Sequence, residues 1–346
     1  MNNDRQWSDR DKIAAYLFGC VYPPNPIAAY PRTQWERPLP RLPLDTLMAA
    51  AIPAGVRLEF RSNASAIKIR FRQIEANPLL ADFIALNKQL RMDFIQNFEL
   101  WTTLAAIDVK AVNENCTSVE FTLPAWGGNF IVYLPELIPL ELLSIEAVGG
   151  ELGKASNNPR WLAYGDSITE GWSASCSAHT WPNRLSRSVG LDLINFGYGG
   201  SARGEIAVAE SIAELDADII SISYGTNCWS RVPHSISQFR EGLEAFLDIV
   251  RQGHRTTPLL AISPILRPDA EVQANKLGAC LGDLRAVFEQ VVQGRRDAGD
   301  QNLYRIDGLH LISESELCDG IHPGDQGHAL LADKLSDSFN TVKETL

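Results

Sequence analysis

Two of the side chains that could do chemistry in this sequence are a serine, Ser167, which follows a Gly-Asp pair, and a histidine, His322, near the carboxyl end. A serine hydroxyl is a weak nucleophile at neutral pH and needs an adjacent base. Asp319 stands three residues before His322, and Gly320 between them allows a tight turn. A carboxylate placed this way can bond the imidazole and stabilise its protonated form. These residues predict acyl transfer with Ser167 as nucleophile, His322 as base and Asp319 as the orienting acid.

The carbonyl that such a serine attacks becomes an oxyanion, which needs hydrogen-bond donors aimed at it. The predicted donors are the backbone N–H groups of Ser167 and Gly200 and the side-chain amide of Asn227. Gly200 suits this role because a residue without a Cβ allows close approach to its backbone. Gly197 and Gly199 belong to the same glycine run and are alternatives for that donor.

A second Asp-Gly-x-His pattern, from Asp307 to His310, precedes Asp319 and His322 and follows the last predicted strand. It lacks the proline that follows His322, and apolar residues come next. We interpret His310 as a structural residue and predict that His322 is the base.

Other side chains on the predicted loops could contact a substrate. Aromatic rings could stack on a sugar or an aromatic acyl group, and arginines could meet a carboxylate or phosphate. For the arginines, an ordinary solvated charge is an equally good interpretation, and Arg231 on the same loops has the same two interpretations. The candidate substrate-binding residues are Trp172, Tyr198, Arg203, Cys228, Trp229 and Arg267.

The predicted secondary-structure elements that must position these residues follow one sequence pattern before about residue 150 and another after it. Before it, short runs alternate apolar and charged residues, as half-buried antiparallel strands do. This pattern predicts a β-sandwich or jelly-roll-like domain over residues 1–155, with an extended Pro-rich lead-in from Pro23 to Pro43. The predicted strands are 56–60, 66–72, 91–94, 98–101, 118–123, 130–134 and 142–148.

After residue 156, apolar runs alternate with segments of helical length. This alternation predicts βαβ units with a parallel sheet covered on both faces, over residues 156–346. In such folds ligands bind at the carboxyl ends of the strands, which is where Ser167 and Asn227 are expected. The predicted strands are 161–164, 191–196, 218–224, 258–265 and 303–306, and the predicted helices are 181–189, 204–215, 235–251, 271–293 and 324–339.

Together, Gly165-Asp166-Ser167, Gly200, Gly225-x-Asn227 and Asp319-x-x-His322 resemble the four sequence blocks of the SGNH (GDSL-type) hydrolase family. The resemblance implies a flavodoxin-like three-layer α/β/α fold and esterase, lipase, deacetylase or acyltransferase activity, with no metal or other cofactor. It also implies the residue roles given above. The whole chain is similar to a two-domain subset with an N-terminal β-sandwich, which includes carbohydrate esterases and an acyltransferase.

The composition of this chain of 346 residues argues against some classes of binding partner. Its net charge of -11 argues against nucleic acid or an anionic membrane surface, since both select for clustered Lys and Arg. The residues from Met1 to Arg10 lack the apolar stretch of a secretory signal, which predicts a cytoplasmic protein. Six scattered cysteines without CxxC pairs predict free thiols.

The sequence therefore predicts a serine esterase or deacetylase that acts through an acyl-enzyme on a small-molecule acyl ester, such as an acetylated sugar or polyol. One alternative is an acyltransferase that passes the acyl group to another alcohol. Another enzymatic alternative is a thioesterase. A third is a non-catalytic glycan-binding relative, against which the four intact blocks argue.

Overall fold

The computed structural model describes residues 13–34, 41–91 and 96–346. Two compact units make up the chain, and each contains segments that are distant in sequence. The first unit comprises Met1–Arg32, Ala51–Asn158 and Ser175–Ala178. The second unit comprises Thr33–Ala50, Pro159–Ala174 and His179–Leu346.

The first unit consists mainly of two antiparallel sheets. Its strands are β1 (Leu17–Phe18), β2 (Arg57–Ser62), β3 (Ala66–Gln73), β4 (Asn97–Trp101), β5 (Ala106–Ala111), β6 (Ser118–Thr122), β7 (Gly128–Tyr133), β8 (Leu140–Val148) and β9 (Leu152–Lys154). One sheet has the order β1-β2-β7-β4-β5, with β9 also paired to β2, and the other has the order β6-β3-β8. Alternate residues of these strands point into one apolar core, where Phe71 and Phe98 pack with ring centroids 5.1 Å apart. The predicted antiparallel N-terminal half is confirmed.

The helices α1 (Leu44–Ala50) and α2 (Pro78–Arg91) of this half were not predicted. The strand predicted at 91–94 is wrong at Arg91, which ends α2, and its other residues lie outside the described part of the chain. The predicted lead-in is neither helix nor strand over residues 23–34 and 41–43, and residues 35–40 are not described.

The second unit is a five-stranded parallel sheet with helices on its faces. Its strands are β10 (Arg160–Gly165), β11 (Asp192–Gly197), β12 (Ile219–Ser223), β13 (Leu259–Ile262) and β14 (Leu303–Ile306). Its further helices are α3 (Ser167–Glu170), α4 (Trp181–Val189), α5 (Ile206–Glu214), α6 (Thr226–Ser230), α7 (Ile236–Gly253), α8 (Leu281–Asp297) and α9 (Asp325–Lys343). The strand order β11-β10-β12-β13-β14 is that of a flavodoxin-like sheet, as predicted.

Central strand β10 shows why both faces are covered, because its side chains are apolar on each side. Trp161 faces the helices α4 and α9, with its ring centroid 4.7 Å from that of Phe339. Tyr164 faces the opposite layer and stacks on Phe246 of α7 at 4.8 Å. A strand buried on both faces reads as a continuous apolar run, which is the signal that predicted it.

The prediction of a helix from 271 to 293 is wrong at its start, because α8 begins only at Leu281. Cys280 caps that helix by accepting a hydrogen bond from the Asp283 N–H, and the Asp283 side chain accepts one from the Cys280 N–H. Gly278, with φ of +85°, turns the preceding loop. Within the ranges that the structure describes, every helix is too short or too polar to cross a bilayer.

Candidate active site

Three neighbouring strands of the parallel sheet end at the same level. Gly165, the last residue of β10, pairs with Gly197 of β11 and with Ser223 of β12. The turns that follow β10 and β12 carry Ser167 and Asn227. The strand order reverses here, between β10 and β12, and open α/β sheets bind ligands at such a point.

The serine stands at the start of the short helix α3, where it is 5 % exposed. Asp166 caps this helix, and its Oδ1 accepts a hydrogen bond of 3.0 Å from the Ile168 N–H. The helix packs so closely on β11 that a Cβ at Gly197 would collide with the Glu170 backbone nitrogen. Glycine is therefore required at residue 197 to hold the serine turn against the sheet.

A narrow loop positions the acid and the base before α9. Leu317 and Pro323 form a β-bridge across its base, and Gly320, with φ of +79°, turns its tip. This turn brings the Asp319 carboxylate back to His322, with Oδ2 2.8 Å from the ring Nδ1 and Oδ1 2.7 Å from the backbone nitrogen. The other ring nitrogen of His322, Nε2, lies 2.8 Å from the Ser167 Oγ.

These contacts determine the proton positions on His322. Partial burial raises the pKa of Asp319, but hydrogen bonds from the His322 side chain and backbone outweigh it and hold that pKa well below its usual range. An ionised carboxylate can only accept, so Nδ1 of the neutral ring must carry the proton and Nε2 must be the acceptor. The arrangement can therefore take a proton from the Ser167 hydroxyl.

The three candidate oxyanion donors follow the ends of the neighbouring strands β10, β11 and β12. Among the described residues, the backbone N–H groups of Ser167 and Gly200 have no acceptor. Gly200 has φ of +72°, a left-handed conformation that favours glycine. The Asn227 amide nitrogen donates one hydrogen to the Ser201 carbonyl and keeps its second hydrogen for another acceptor. These groups can bind an oxyanion.

Helix α1 braces the turn that contains Gly200. Its Asp45 carboxylate accepts two hydrogen bonds from Arg203, of 2.9 and 3.0 Å, and Arg203 also donates to the Gly200 carbonyl at 3.2 Å. The Thr46 hydroxyl bonds the Ser201 hydroxyl. A segment from the N-terminal half of the sequence thus fixes a turn of the candidate site.

Three of the predicted substrate-binding residues have side chains that are buried or paired with another side chain. The Tyr198 side chain is 1 % exposed and that of Cys228 is fully buried. Burial raises the pKa of the Cys228 thiol well above its usual value. Arg203 is paired with Asp45.

The other three candidates lie closer to the surface. Trp172 stacks on the His322 ring, with centroids 5.3 Å apart and planes inclined by 30°. The guanidinium of Arg267 lies over the Trp229 ring, 4.8 Å from its centroid, and bonds Asp269.

The second Asp-His pair forms the same local contact in a different place. The His310 Nδ1 lies 2.6 Å from the Asp307 carboxylate, but the His310 side chain is 77 % exposed. In the described part of the chain no hydroxyl bonds its other ring nitrogen. The structure therefore brings His322, and not His310, to the serine.

Residues 160–340 match the GDSL-like lipase/acylhydrolase family. The chain belongs to this family. The resemblance drawn from the four sequence segments is thereby confirmed. No curated protein matches the chain.

Solved structures extend the likeness of this GDSL-family chain to both units. The salicylyl-acyltransferase SsfX3 from a tetracycline biosynthetic pathway aligns over 95 % of this chain and 94 % of its own, with a TM-score of 0.79 and 22 % identity. A family two carbohydrate esterase from Clostridium thermocellum, in complex with cellohexaose, aligns over 85 % and 94 %, with a TM-score of 0.62 and 15 % identity. At these identities the likeness shows the fold.

Two further residues support this GDSL-family site through contacts that the sequence did not predict. Glu170 accepts a hydrogen bond from the Gly199 N–H and so shapes the glycine run. His328 of α9 bonds the Trp172 carbonyl through Nε2 at 3.0 Å. Neither contact has a local sequence signal, because each joins residues from separate elements.

Burial lowers the pKa of His328 to about 4, although its bond to the Trp172 carbonyl opposes the shift. The unfolded chain takes up this proton near pH 6.5 and the folded protein does not, so unfolding is favoured as the pH falls from 6.5 to 4. We expect the free energy of unfolding of the wild type to fall by about 3 kcal/mol more than that of His328→Gln between pH 7 and pH 4. Urea unfolding at both pH values measures it, and an equal fall in the two proteins would contradict it.

Within the described residues, no group of three or more His, Cys, Asp or Glu side chains is placed to hold a metal ion.

Proposed function

We propose that the protein is a serine acyl-ester hydrolase that works through an acyl-enzyme on Ser167. The observation that supports this most is the hydrogen-bonded chain from the Ser167 Oγ through His322 to Asp319, with two links of 2.8 Å. A nucleophile, a base and an orienting acid within hydrogen-bond reach are what such chemistry requires.

In the proposed reaction the Ser167 Oγ attacks the ester carbonyl carbon while its proton moves to Nε2 of His322. The Asp319 carboxylate stabilises the imidazolium that forms. The carbonyl oxygen becomes an oxyanion held by the Ser167 N–H, the Gly200 N–H and the Asn227 amide. When the tetrahedral intermediate collapses, the leaving alcohol takes the proton from His322. Water then enters by the reverse sequence, frees the acid and restores the serine.

For the substrate we propose a short acyl ester, such as an acetyl group on a sugar or another small polyol. Trp172 supports this proposal, because its ring lies on the His322 ring and can cover one side of a small ligand. The likeness to a carbohydrate esterase supports a sugar only by analogy of fold.

Acyl transfer to a second alcohol is the alternative, and the likeness over nearly the full chain to a structure named as an acyltransferase favours it. Hydrolysis and transfer share the acyl-enzyme and differ in what attacks it. With an acyl ester and excess glycerol, a hydrolase releases mainly free acid, whereas a transferase releases mainly glycerol ester. Chromatography of the products separates the two.

We expect a small fluorophosphonate to modify the protein once, on Ser167, as intact-mass and peptide mass spectrometry would show. The reason is that Ser167 is the described serine whose hydroxyl lies within hydrogen-bond reach of the His322 ring. Ser167→Ala should take up no label while keeping the wild-type unfolding temperature within a few degrees. A folded wild-type protein without an adduct would overturn the proposed function in favour of a non-catalytic relative.

A further inference from the structure

Arg231 differs from the other arginines of the candidate active site because its side chain has no partner among the described residues. Arg203 is held by Asp45 and by the Gly200 carbonyl, and Arg267 is held by Asp269. Among the described residues, the Arg231 guanidinium makes no hydrogen bond and no ion pair. The chain carries 42 acidic and 31 basic residues, so acidic partners for a surface arginine are plentiful. Within the described ranges its guanidinium nonetheless pairs with no acidic side chain.

The backbone places Arg231 directly beside the groups that would bind the oxyanion. It follows the last residue of α6, and its N–H donates to the carbonyl of Asn227, four residues earlier, at 3.0 Å. Residues four apart lie on the same face of a helix, so Arg231 stands one turn from the Asn227 amide.

The guanidinium then reaches across to the neighbouring turn and lies over Gly200. Its Nη2, Nε and Cζ atoms stand 3.6, 3.7 and 3.8 Å from the position that a Cβ on Gly200 would occupy. The Arg231 side chain is exposed, so its donors stay open to a ligand. The positively charged guanidinium group of Arg231 thus lies beside two of the three proposed oxyanion donors.

We propose that Arg231 binds an anionic group of the substrate, so that the preferred substrates are acyl esters with a carboxylate or phosphate close to the scissile bond. This inference rests on the proposed function, since it names the substrate class of the same site. The planar guanidinium matches the two oxygens of a carboxylate or phosphate and can donate to both. The lysine ammonium group lacks this planar pair of donors, so a lysine at this position would restore only part of the binding to the anionic group.

Two pairs of esters of matched size test the proposal, one with the charge on the acyl group and one with the charge on the alcohol. The first pair is the 4-nitrophenyl ester of succinic acid and that of succinamic acid, with the rate in buffer subtracted for each. The second pair is 4-acetoxybenzoate and 4-acetoxybenzamide. For the wild type, kcat/KM should be higher for the anionic member of at least one pair.

In Arg231→Gln, kcat/KM for the preferred anionic ester should fall roughly 10- to 100-fold, mainly through KM, because a charge-assisted hydrogen bond is lost. The value for its neutral partner should change less than about twofold. Arg231→Lys should recover part of the loss, and added salt should shrink the preference of the wild type. Arg255→Gln is the matched control, because Arg255 is also exposed but precedes β13, at the opposite edge of the sheet.

Two results would overturn the proposal. Equal losses for the charged and the neutral esters would make Arg231 a general electrostatic aid to the oxyanion. Unchanged values for all four esters would make it an ordinary solvated charge. Fluorophosphonate labelling of Arg231→Gln separates these failures from a failure of the proposed function, because an active Ser167 reacts with that reagent whatever the substrate preference.

Discussion

Replacing His322 with alanine is expected to lower kcat for an activated acyl ester roughly 10⁴- to 10⁶-fold. The His322 Nε2 is 2.8 Å from the Ser167 Oγ and is the only described base that bonds it. Without His322, no base takes the proton of the Ser167 hydroxyl and no acid protonates the leaving alcohol. Initial rates with 4-nitrophenyl acetate, corrected for the rate of the buffer, measure the effect.

The chain supplies its own matched control in His310→Ala. His310 has the same Asp-Gly-x-His context and bonds Asp307 at 2.6 Å, but its side chain is 77 % exposed and bonds no serine. We expect this variant to keep kcat within about twofold of the wild type, as for a surface substitution. A large loss in His310→Ala together with a small loss in His322→Ala would show that the other pair carries the base.

Replacing Asn227 with alanine is expected to lower kcat about 10²- to 10³-fold with little change in KM, since an oxyanion donor acts mainly in the transition state. Asn227 is 5 % exposed, and its amide already donates one hydrogen bond to the Ser201 carbonyl. The other hydrogen is the one that would meet the oxyanion. Steady-state kinetics with 4-nitrophenyl acetate give both constants.

Two further variants show whether the loss comes from the donor itself. Asn227→Asp keeps the shape but exchanges donors for a charge of the same sign as the oxyanion, so its loss should exceed that of the alanine variant. Asn340→Ala, at an exposed position on α9, should leave kcat unchanged. If a folded Asn227→Ala protein kept kcat within threefold, Asn227 would not be an oxyanion donor.

The fold class could be predicted because the two halves of the chain bury their residues differently. Strands such as β3 alternate buried and more exposed residues, whereas β10 after its first residue and all of β12 are continuously buried and mostly apolar. These two patterns indicate antiparallel sheets and a covered parallel sheet before any contact is known. The start of α8 was predicted wrongly because helical spacing continues through 271–280, and the cap at Cys280, which ends that loop, has a weak sequence signal.

The residue types of the candidate site were also visible in the sequence. A turn serine, a glycine run, an asparagine after a strand and an Asp-Gly-x-His pair are local features, and each lies where a parallel strand ends. The parallel sheet then brings the turns to one edge, since its strands share a direction. Local pattern and strand direction together were enough to nominate Ser167, Gly200, Asn227, Asp319 and His322.

The sequence by itself determined the fold class, the order of the elements and the types of group near the strand ends, because these follow from short-range periodicity and turn chemistry. The sequence also favoured His322 over His310, because a proline follows only His322. Only the tertiary structure decided where the arginine side chains bond and which of the three active-site arginines has no partner among the described residues. Those outcomes depend on contacts such as Asp45 with Arg203, which lie 158 residues apart in the chain. No local pattern records such a contact, because packing between distant segments creates it.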